Sequence, residues 1–472
     1  MKLLVMVFFM TLLTNTEAKT LQVGMPHVPE RLNHLEIHSL YEYVIFDDLL
    51  RPLVKFDTNG EISADLVLKW EIKEDYKKFI FTLKDNQTFS DGTPIIANDV
   101  VASLKYLNAG PDIVHGDGKK IKRVSLIDKG HFEIELFESD PFFLTELSSP
   151  EYRVAKLDSM EYKVTSGPYV VSEGSAKSGF TLKLNKKYPF PKTVKYDQVH
   201  FEGYNVEKPI TDELLKKFDV IWPKSTIKKE ELARIEKAGF SLYQMNLGFS
   251  FWFALNPKNL SLSERESISE RVTKYWKGST FFAENNLIPS SQLFLPYGPG
   301  RMNEAEIEAI SSKKHASVEI KRTLSVLLPK SVQKEIENSL NAIGAKTKIE
   351  YYENFSEYAT MIKAKDYDIV FVNNDLSSID LRSSLIVTFN PSRPLVFVDE
   401  KNKQFNELLK SIKTEQNTSL RYQGIKKLGQ KVLEDALVVP LYYKMGVVLT
   451  KKGIDLSDWN KAGAETFSWK IK

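Results

Sequence analysis

Between residues 70 and 83 apolar positions recur every second residue. Trp70 and Ile72, then Phe79, Phe81 and Leu83, flank a charged turn at 73–78, the pattern of a hairpin with one buried face. Strands over 121–126 and 132–136 follow, so this part of the chain reads as a small β-rich module. Upstream, a short strand over 19–24 precedes a helix over 38–50, whose Leu40, Tyr43, Val44 and Leu50 fall at helical spacing with Asp47 the one polar residue on that face; Pro52 stops it. A second helix spans 98–107, with Val100, Val101, Leu104 and Leu107 together. Strands over 169–171, 180–184, 199–201 and 220–222 lead to a charged helix at 228–237.

Beyond residue 250 strands and helices alternate. A strand at 251–255 precedes a helix over 263–275, with Ser263 and Glu266 at capping-box spacing. Elements at 324–328, 332–343, 346–352, 355–362 and 367–372 continue the alternation, and a helix follows at 403–412. Two separate strands, 437–443 and 445–450, close the chain. This order predicts an α/β lobe with a largely parallel sheet.

At 472 residues the chain exceeds one hydrophobic core, so two or three domains are expected. With 42% hydrophobic and 27% charged residues it reads as globular, and a net charge of +3 calls for neither nucleic acid nor an anionic membrane as partner. The first eighteen residues change the picture. Lys2 precedes an apolar run from Leu3 to Leu13, and residues 14–18 turn small and polar, with Thr16 and Ala18 in cleavage-site positions. This is the layout of a secretory signal peptide, too short to span a core of about 30 Å. The chain has no cysteine, so neither disulfides nor a lipidation site are expected, and the mature protein should be free in a periplasm.

Catalytic chemistry is hard to find. The seven histidines include one helical pair, His34 and His38, but Leu35 stands where a metalloprotease helix needs its glutamate. No nucleophile elbow, P-loop or dinucleotide fingerprint occurs. The segment 174–179, GSAKSG, has phosphate-loop letters in the wrong order and reads as a hairpin turn. No enzyme activity, cofactor or metal is expected.

Residues 62–107 carry a resemblance. ISADL (62–66), KWE (69–71), FIFTLKD (79–85), FSDGTPI (89–95) and ANDVV (97–101) resemble the signature of extracellular solute-binding proteins of family 5, the dipeptide and oligopeptide binders of ABC importers. TSGPYVV (165–171) with LKLNKKY (182–188) is similar to the family's G-T-G-P-Y and L-x-x-N-x-x-Y segments. FDVI (218–221), LN (255–256), the IP of 288–289, DYDI (366–369) and VPLYY (439–443) extend the likeness. One departure is Ile96, where the family usually has a hydroxyl cap before the helix, at a cost of about 1 kcal/mol that other contacts must offset.

The resemblance implies a two-lobed periplasmic binding protein of type II, in the large peptide-binding cluster. Lobe I would comprise 19–44, 160–246 and 440–472, an extra β-rich domain 45–159, and lobe II 247–439. It also implies a monomer that closes over a small ligand, a peptide, and hands it to a membrane transporter, with a cleft aspartate pairing the ligand's amine. Asp380 falls nearest the expected position, with Asp375 as its rival and Asn373 and Asn374 beside them. A Gly-Trp pair usual in that segment is missing, which puts peptide specificity in question. From lobe I, His27, Val28 and Pro29 form a loop expected to face the cleft. The same fold serves other family members for sugars, metal chelates or cell-wall fragments, and a sensory role or a secreted hydrolase are the remaining alternatives.

Overall fold

A computed structural model of the chain describes residues 19–36, 40–56, 62–110, 119–159, 161–189, 194–205, 208–223, 227–295, 298, 300–312, 317–376, 381–392, 394–399, 402–415, 417–459 and 468–472. The expected signal peptide lies outside them. Within them, no helix is long and apolar enough to cross a membrane.

Two strands, Phe240–Leu255 and Val438–Lys451, determine the architecture, because each runs through both halves of the molecule. They pair antiparallel along most of their length. At one end Val438–Lys451 pairs with Val220–Ile221, which continues into Thr20–Met25, Gln198–Gly203, Gly179–Leu184 and Tyr169–Ser175. At the other end Phe240–Leu255 pairs with Ile369–Asp375, which leads to Leu324–Pro329 and Thr347–Tyr352. Between the ends the pairing slips, from Gln244 opposite Val447 to Gly248 opposite Met445. Extra residues at such a bulge bend a strand, and here the bend separates the two lobes. The expected break between 443 and 445 is therefore corrected: Val438–Lys451 is one strand. Lys444 and Gly446 interrupt the apolar run because the strand is passing from one core to another.

In the second lobe the three strands Leu324–Pro329, Thr347–Tyr352 and Ile369–Asp375 are mutually parallel; Phe240–Leu255 runs antiparallel beside them, and Val438–Lys451 beyond it runs in their direction. Both faces are covered, so Ile369, Val370, Phe371 and Val372 are all buried, which is why the strand reads as a continuous apolar run. Trp252, Val370 and Val372 pack under the helices Lys403–Thr414 and Thr418–Glu434. Phe253, Ile369 and Phe371 pack on the face covered by Leu262–Trp276. That last helix is capped by Ser261 and Glu264, not Ser263 and Glu266. The Ser261 hydroxyl accepts the Glu264 N–H (3.3 Å), and the Glu264 carboxylate accepts the Ser261 N–H (2.8 Å). The earlier frame places buried Arg265 in the first turn, where it donates to the carbonyls of Leu260 and Asp435.

The β-rich module is a four-stranded sheet, Val67–Lys73, Lys78–Leu83, His131–Leu136 and Ile121–Leu126 in spatial order. Phe81 and Phe132 are opposite each other and stack at 5.0 Å. The helix Ala97–Ala109 lays Val100, Val101, Leu104 and Leu107 on this face. Its first turn lacks a hydroxyl cap, and Asp99 compensates by accepting the Ile96 N–H at 2.9 Å.

Several motif residues prove to be locks. In Leu40–Leu49, buried Asp47 pairs with Arg153, whose guanidinium also donates to the carbonyls of Phe46 (3.1 Å) and Leu50 (3.3 Å), satisfying a helix C-terminus. Asn185 donates to the Gly167 carbonyl at 2.8 Å, joining the two segments around 165 and 185. A Cβ on Gly167 would lie 2.4 Å from the Leu49 carbonyl carbon, so only glycine permits this approach. Segment 174–179 closes the hairpin between Tyr169–Ser175 and Gly179–Leu184 as expected.

Candidate functional site

The directions of the strands locate a site. Ile369–Asp375 runs from opposite Leu255 to opposite Phe249, toward the slip in the long strands. Its parallel neighbours end on the same side. In the first lobe, Val220 lies opposite Thr450 and Ile221 opposite Leu449, so this strand also runs toward the slip, as do Thr20–Met25 and Gln198–Gly203, parallel to it and to each other. The carboxyl ends of the parallel strands of both lobes thus converge on the segment joining them. Open α/β sheets place ligands outside such ends.

A cavity of about 460 Å³ opens there on the second lobe. Its floor is aromatic: Phe251 stacks on Tyr442 at 4.5 Å and 13°, and on Phe371 at 6.0 Å. Tyr352 forms part of the wall and donates to the Phe371 carbonyl at 3.2 Å, and burial pushes its phenol up to about 12. Polar groups converge on this apolar lining, namely Asn373, Gln333, Glu353, Asn354 and Lys444. Burial pushes the Lys444 ammonium below its usual range.

Strand register groups these side chains further. Opposed residues of antiparallel strands share a face. Asn373, Phe251 and Tyr442 form one rung across three strands, and Asp375, Phe249 and Lys444 form the next. The second rung lies at the end nearest the slip, with Phe249 exposed between a carboxylate and an ammonium.

The expected site residues are distributed unevenly over this geometry. Asn373 is exposed and lines the cavity. Asp375 is half-buried at the end of its strand, and its N–H donates to the Asn374 side chain at 2.9 Å. Asn374 faces the other way and spends its amide on the Ser384 carbonyl (3.0 Å) and Thr388 hydroxyl (2.9 Å), tying the strand to the helix Arg382–Thr388. Asp380 lies outside the described residues. In the first lobe, His27 is exposed, with its Nε2 3.2 Å from Glu42 and its ring edge-on to Tyr41 at 5.7 Å. Val28 packs on the first lobe's core, and Pro29 is half-buried beyond it. This loop follows Thr20–Met25 and lies against Gly203, at the converging ends.

Sequence reading missed Lys444, Phe251 and Tyr442 as site residues. Their signal was a lysine inside an otherwise apolar late strand. Among titratable groups of the described residues, no cluster of histidine and carboxylate is arranged to hold a metal. His34 is buried instead against Tyr162, its Nδ1 2.9 Å from the phenol oxygen, and His38 lies outside the described residues. Asp368, of the DYDI segment, is structural. Burial alone would raise its carboxyl, but Arg322 and Ser325 outweigh that and hold it below the ordinary range.

Comparison with known proteins decides the relationship. Residues 61–267 match the model of the bacterial extracellular solute-binding proteins, family 5. Over those residues the chain is similar to this family. The dipeptide-binding protein DppE of Bacillus subtilis is 20% identical over 448 residues, covering 84% of this chain and 81% of that one. The fold matches the crystal structure of a nickel ABC transporter protein from Bacillus halodurans, with a TM-score of 0.75, 16% identity and coverage of 96% and 99%. It also matches the periplasmic binding protein DppA of Helicobacter pylori in complex with the peptide STSA, with a TM-score of 0.66, 18% identity and coverage of 96% and 97%. The two-lobed periplasmic binding fold therefore extends well beyond the residues matched by the family model.

Proposed function

We propose that this solute-binding protein captures a short peptide between its lobes and delivers it to a membrane ABC importer. The observation that carries this reading is the convergence of both lobes' strand ends on the slip in the two long strands, where an aromatic-floored cavity opens. A ligand touching both lobes favours closure by its difference in affinity for the closed and open forms. Its main chain would add to the sheet, with the cavity receiving a side chain. Asp375 or Asp380 would take the amine, and the His27–Pro29 loop would close from the first lobe.

The lobes we propose follow the boundaries 19–44, 160–246 and 440–472 for the first, 45–159 for the extra domain and 247–439 for the second. Placing the first boundary after Leu50 suits the packing better, because Ile45, Phe46, Leu49 and Leu50 contribute to the first lobe's core. Residues 1–18 would direct export and be removed, leaving a monomer free in the periplasm without a lipid anchor or catalytic role. Family relatives bearing periplasmic names support that location.

Native mass spectrometry of the protein purified from its own periplasm tests the reading. A heterogeneous set of released peptides is the expected result. A single non-peptide mass would keep the binding role and overturn the substrate.

A further inference from the structure

We propose that the end of the first lobe remote from the cleft is a docking face for an anionic phospholipid surface. This goes beyond ligand capture and is independent of what the cleft holds.

Strand direction defines the face. Thr20–Met25, Gln198–Gly203 and Val220–Ile221 point their carboxyl ends to the cleft, so their amino ends lie together at the opposite end of the lobe. Gly179–Leu184, antiparallel to Gln198–Gly203, finishes at the same level, with the Leu184 N–H donating to the Asp197 carbonyl at 2.9 Å. The long strands reach this end too, with Phe240 opposite Lys451. Just beyond these ends stand Lys19, Lys186, Lys187, Lys237 and Lys452, all exposed. Lys452 donates its N–H to the Gly239 carbonyl at 2.9 Å, which brings it beside the end of the helix Lys229–Lys237. From Val438–Lys451 to Gly179–Leu184 the sheet spans four strand spacings, a row about 20 Å across.

The charge on this row is not balanced locally. Asp219 and Asp458 pair with Lys451 (2.9 Å) and Lys472 (2.6 Å), but among the described residues none of the five exposed lysines is in an ion pair. Lys195 adds a sixth ammonium, and it and Lys19 both lie over the Tyr196 ring, at 5.6 and 5.3 Å. Asp197, Glu236 and Asp455 are the remaining carboxylates here, so positive charge is in excess. The chain's small net charge of +3 conceals this, because it sums over every surface.

Two features favour lipid as the partner. The excess is carried by lysine alone. Arginine's planar fork suits one particular carboxylate or phosphate, whereas lysine is a flexible point charge, suited to the diffuse negative layer of a bilayer surface. The second feature is the apolar run of residues 3–13, which five residues separate from Lys19. While that run is attached, this face is held within about 20 Å of the membrane that it enters. After its removal the lysines would supply a weak, reversible hold, with the cleft directed away from the bilayer and open to incoming ligand.

Flotation with vesicles tests this on the protein purified from its own periplasm. The parent should float with phosphatidylglycerol vesicles at low salt, be released at high salt, and ignore phosphatidylcholine vesicles. Reversing four lysines of the face together (Lys186→Glu, Lys187→Glu, Lys237→Glu, Lys452→Glu) should weaken the binding at least about tenfold. The same charge change on exposed second-lobe positions (Lys274→Glu, Lys277→Glu, Lys363→Glu, Lys410→Glu) should leave most of it. Thermal unfolding shows whether each variant folds; if the reversed face does not, glutamine at its four positions replaces it. A parent that fails to float with phosphatidylglycerol overturns the proposal, as does equal loss in the two sets. Sedimentation of the parent with isolated peptidoglycan but not with vesicles would also overturn it, by assigning the face to the cell-wall polymer.

Discussion

Asp375 and Lys444 stand on opposite sides of Phe249, each paired with it across an adjacent strand and all three on one face of the sheet. The exposed ring between two opposite charges lies at the place where both lobes end their parallel strands. Phe249→Ala should therefore weaken peptide binding about tenfold, or roughly 1.4 kcal/mol. Because the ring is 44% exposed, the change should cost only about 1 kcal/mol of stability. Calorimetry and thermal unfolding on the same preparation check both; a large stability loss with unchanged affinity would make the ring a core residue.

Gly167 touches the backbone of Leu49 so closely that any side chain must push the helix Leu40–Leu49 away from the first lobe's sheet. Gly167→Ala is expected to destabilise the protein by about 1–3 kcal/mol, the range for forced overpacking. Urea unfolding would show a lower midpoint with unchanged slope. A midpoint equal to the parent's would mean that the helix can shift without cost.

Buried Arg153 compensates Asp47 and two helix carbonyls together. Arg153→Met should cost about 3–5 kcal/mol, since it strands a buried carboxylate. Adding Asp47→Asn should recover part of that loss. Denaturant unfolding of the single and double variants makes the test, and a double variant no more stable than the single would contradict it.

Two buried titratable groups give opposite pH dependence. Burial pushes the Asp48 carboxyl up to about 8, against the Ser468 N–H that donates to it at 2.9 Å. Its contribution is complete below the unfolded value near 4 and is lost as pH rises toward 8. Burial pushes the His34 imidazole down to about 4, so its contribution is lost as pH falls from about 6.5 to 4. Between pH 6.5 and 8 only the Asp48 effect operates of these two. Stability should fall there by up to about 2 kcal/mol, at roughly 1.4 kcal/mol per unit. Asp48→Asn should flatten that slope in urea titrations at pH 6.5 and 8; equal slopes would assign it to other groups.

How much was legible in the sequence depended on whether a segment's pattern came from its own fold or from its neighbours. The β-rich module was readable because one buried face imposes a two-residue period, and the hairpin at 174–179 because its turn residues are local. The long strands read as fragments, since Lys444 and Gly446 belong to the passage between lobes rather than to either core. The helix Thr418–Glu434 was missed altogether. Gly424 lowers its helical propensity, yet a Cβ there would come within 2.9 Å of Ile412 on the packed helix Lys403–Thr414. Tertiary contact, invisible in one sequence, selects that glycine. The site was half legible for the same reason. Asn373 and Asp375 lay near a recognisable strand, whereas Lys444 joins them only through pairing to Phe240–Leu255.

Lobes that close over a ligand at the slip in the long strands must approach each other on binding, and the absence of cysteine from the chain makes a direct distance measurement possible. Glu30→Cys and Lys334→Cys place one spin label on each side of the gap, on exposed positions beside the first-lobe loop and the second-lobe cavity. Pulsed electron resonance would compare the doubly labelled protein stripped of ligand by unfolding and refolding with the same protein after adding back its co-purified peptides. A shorter and narrower distance distribution is expected with the peptides present. An unchanged distribution, with peptide binding confirmed in the same sample, would contradict closure as the means of capture.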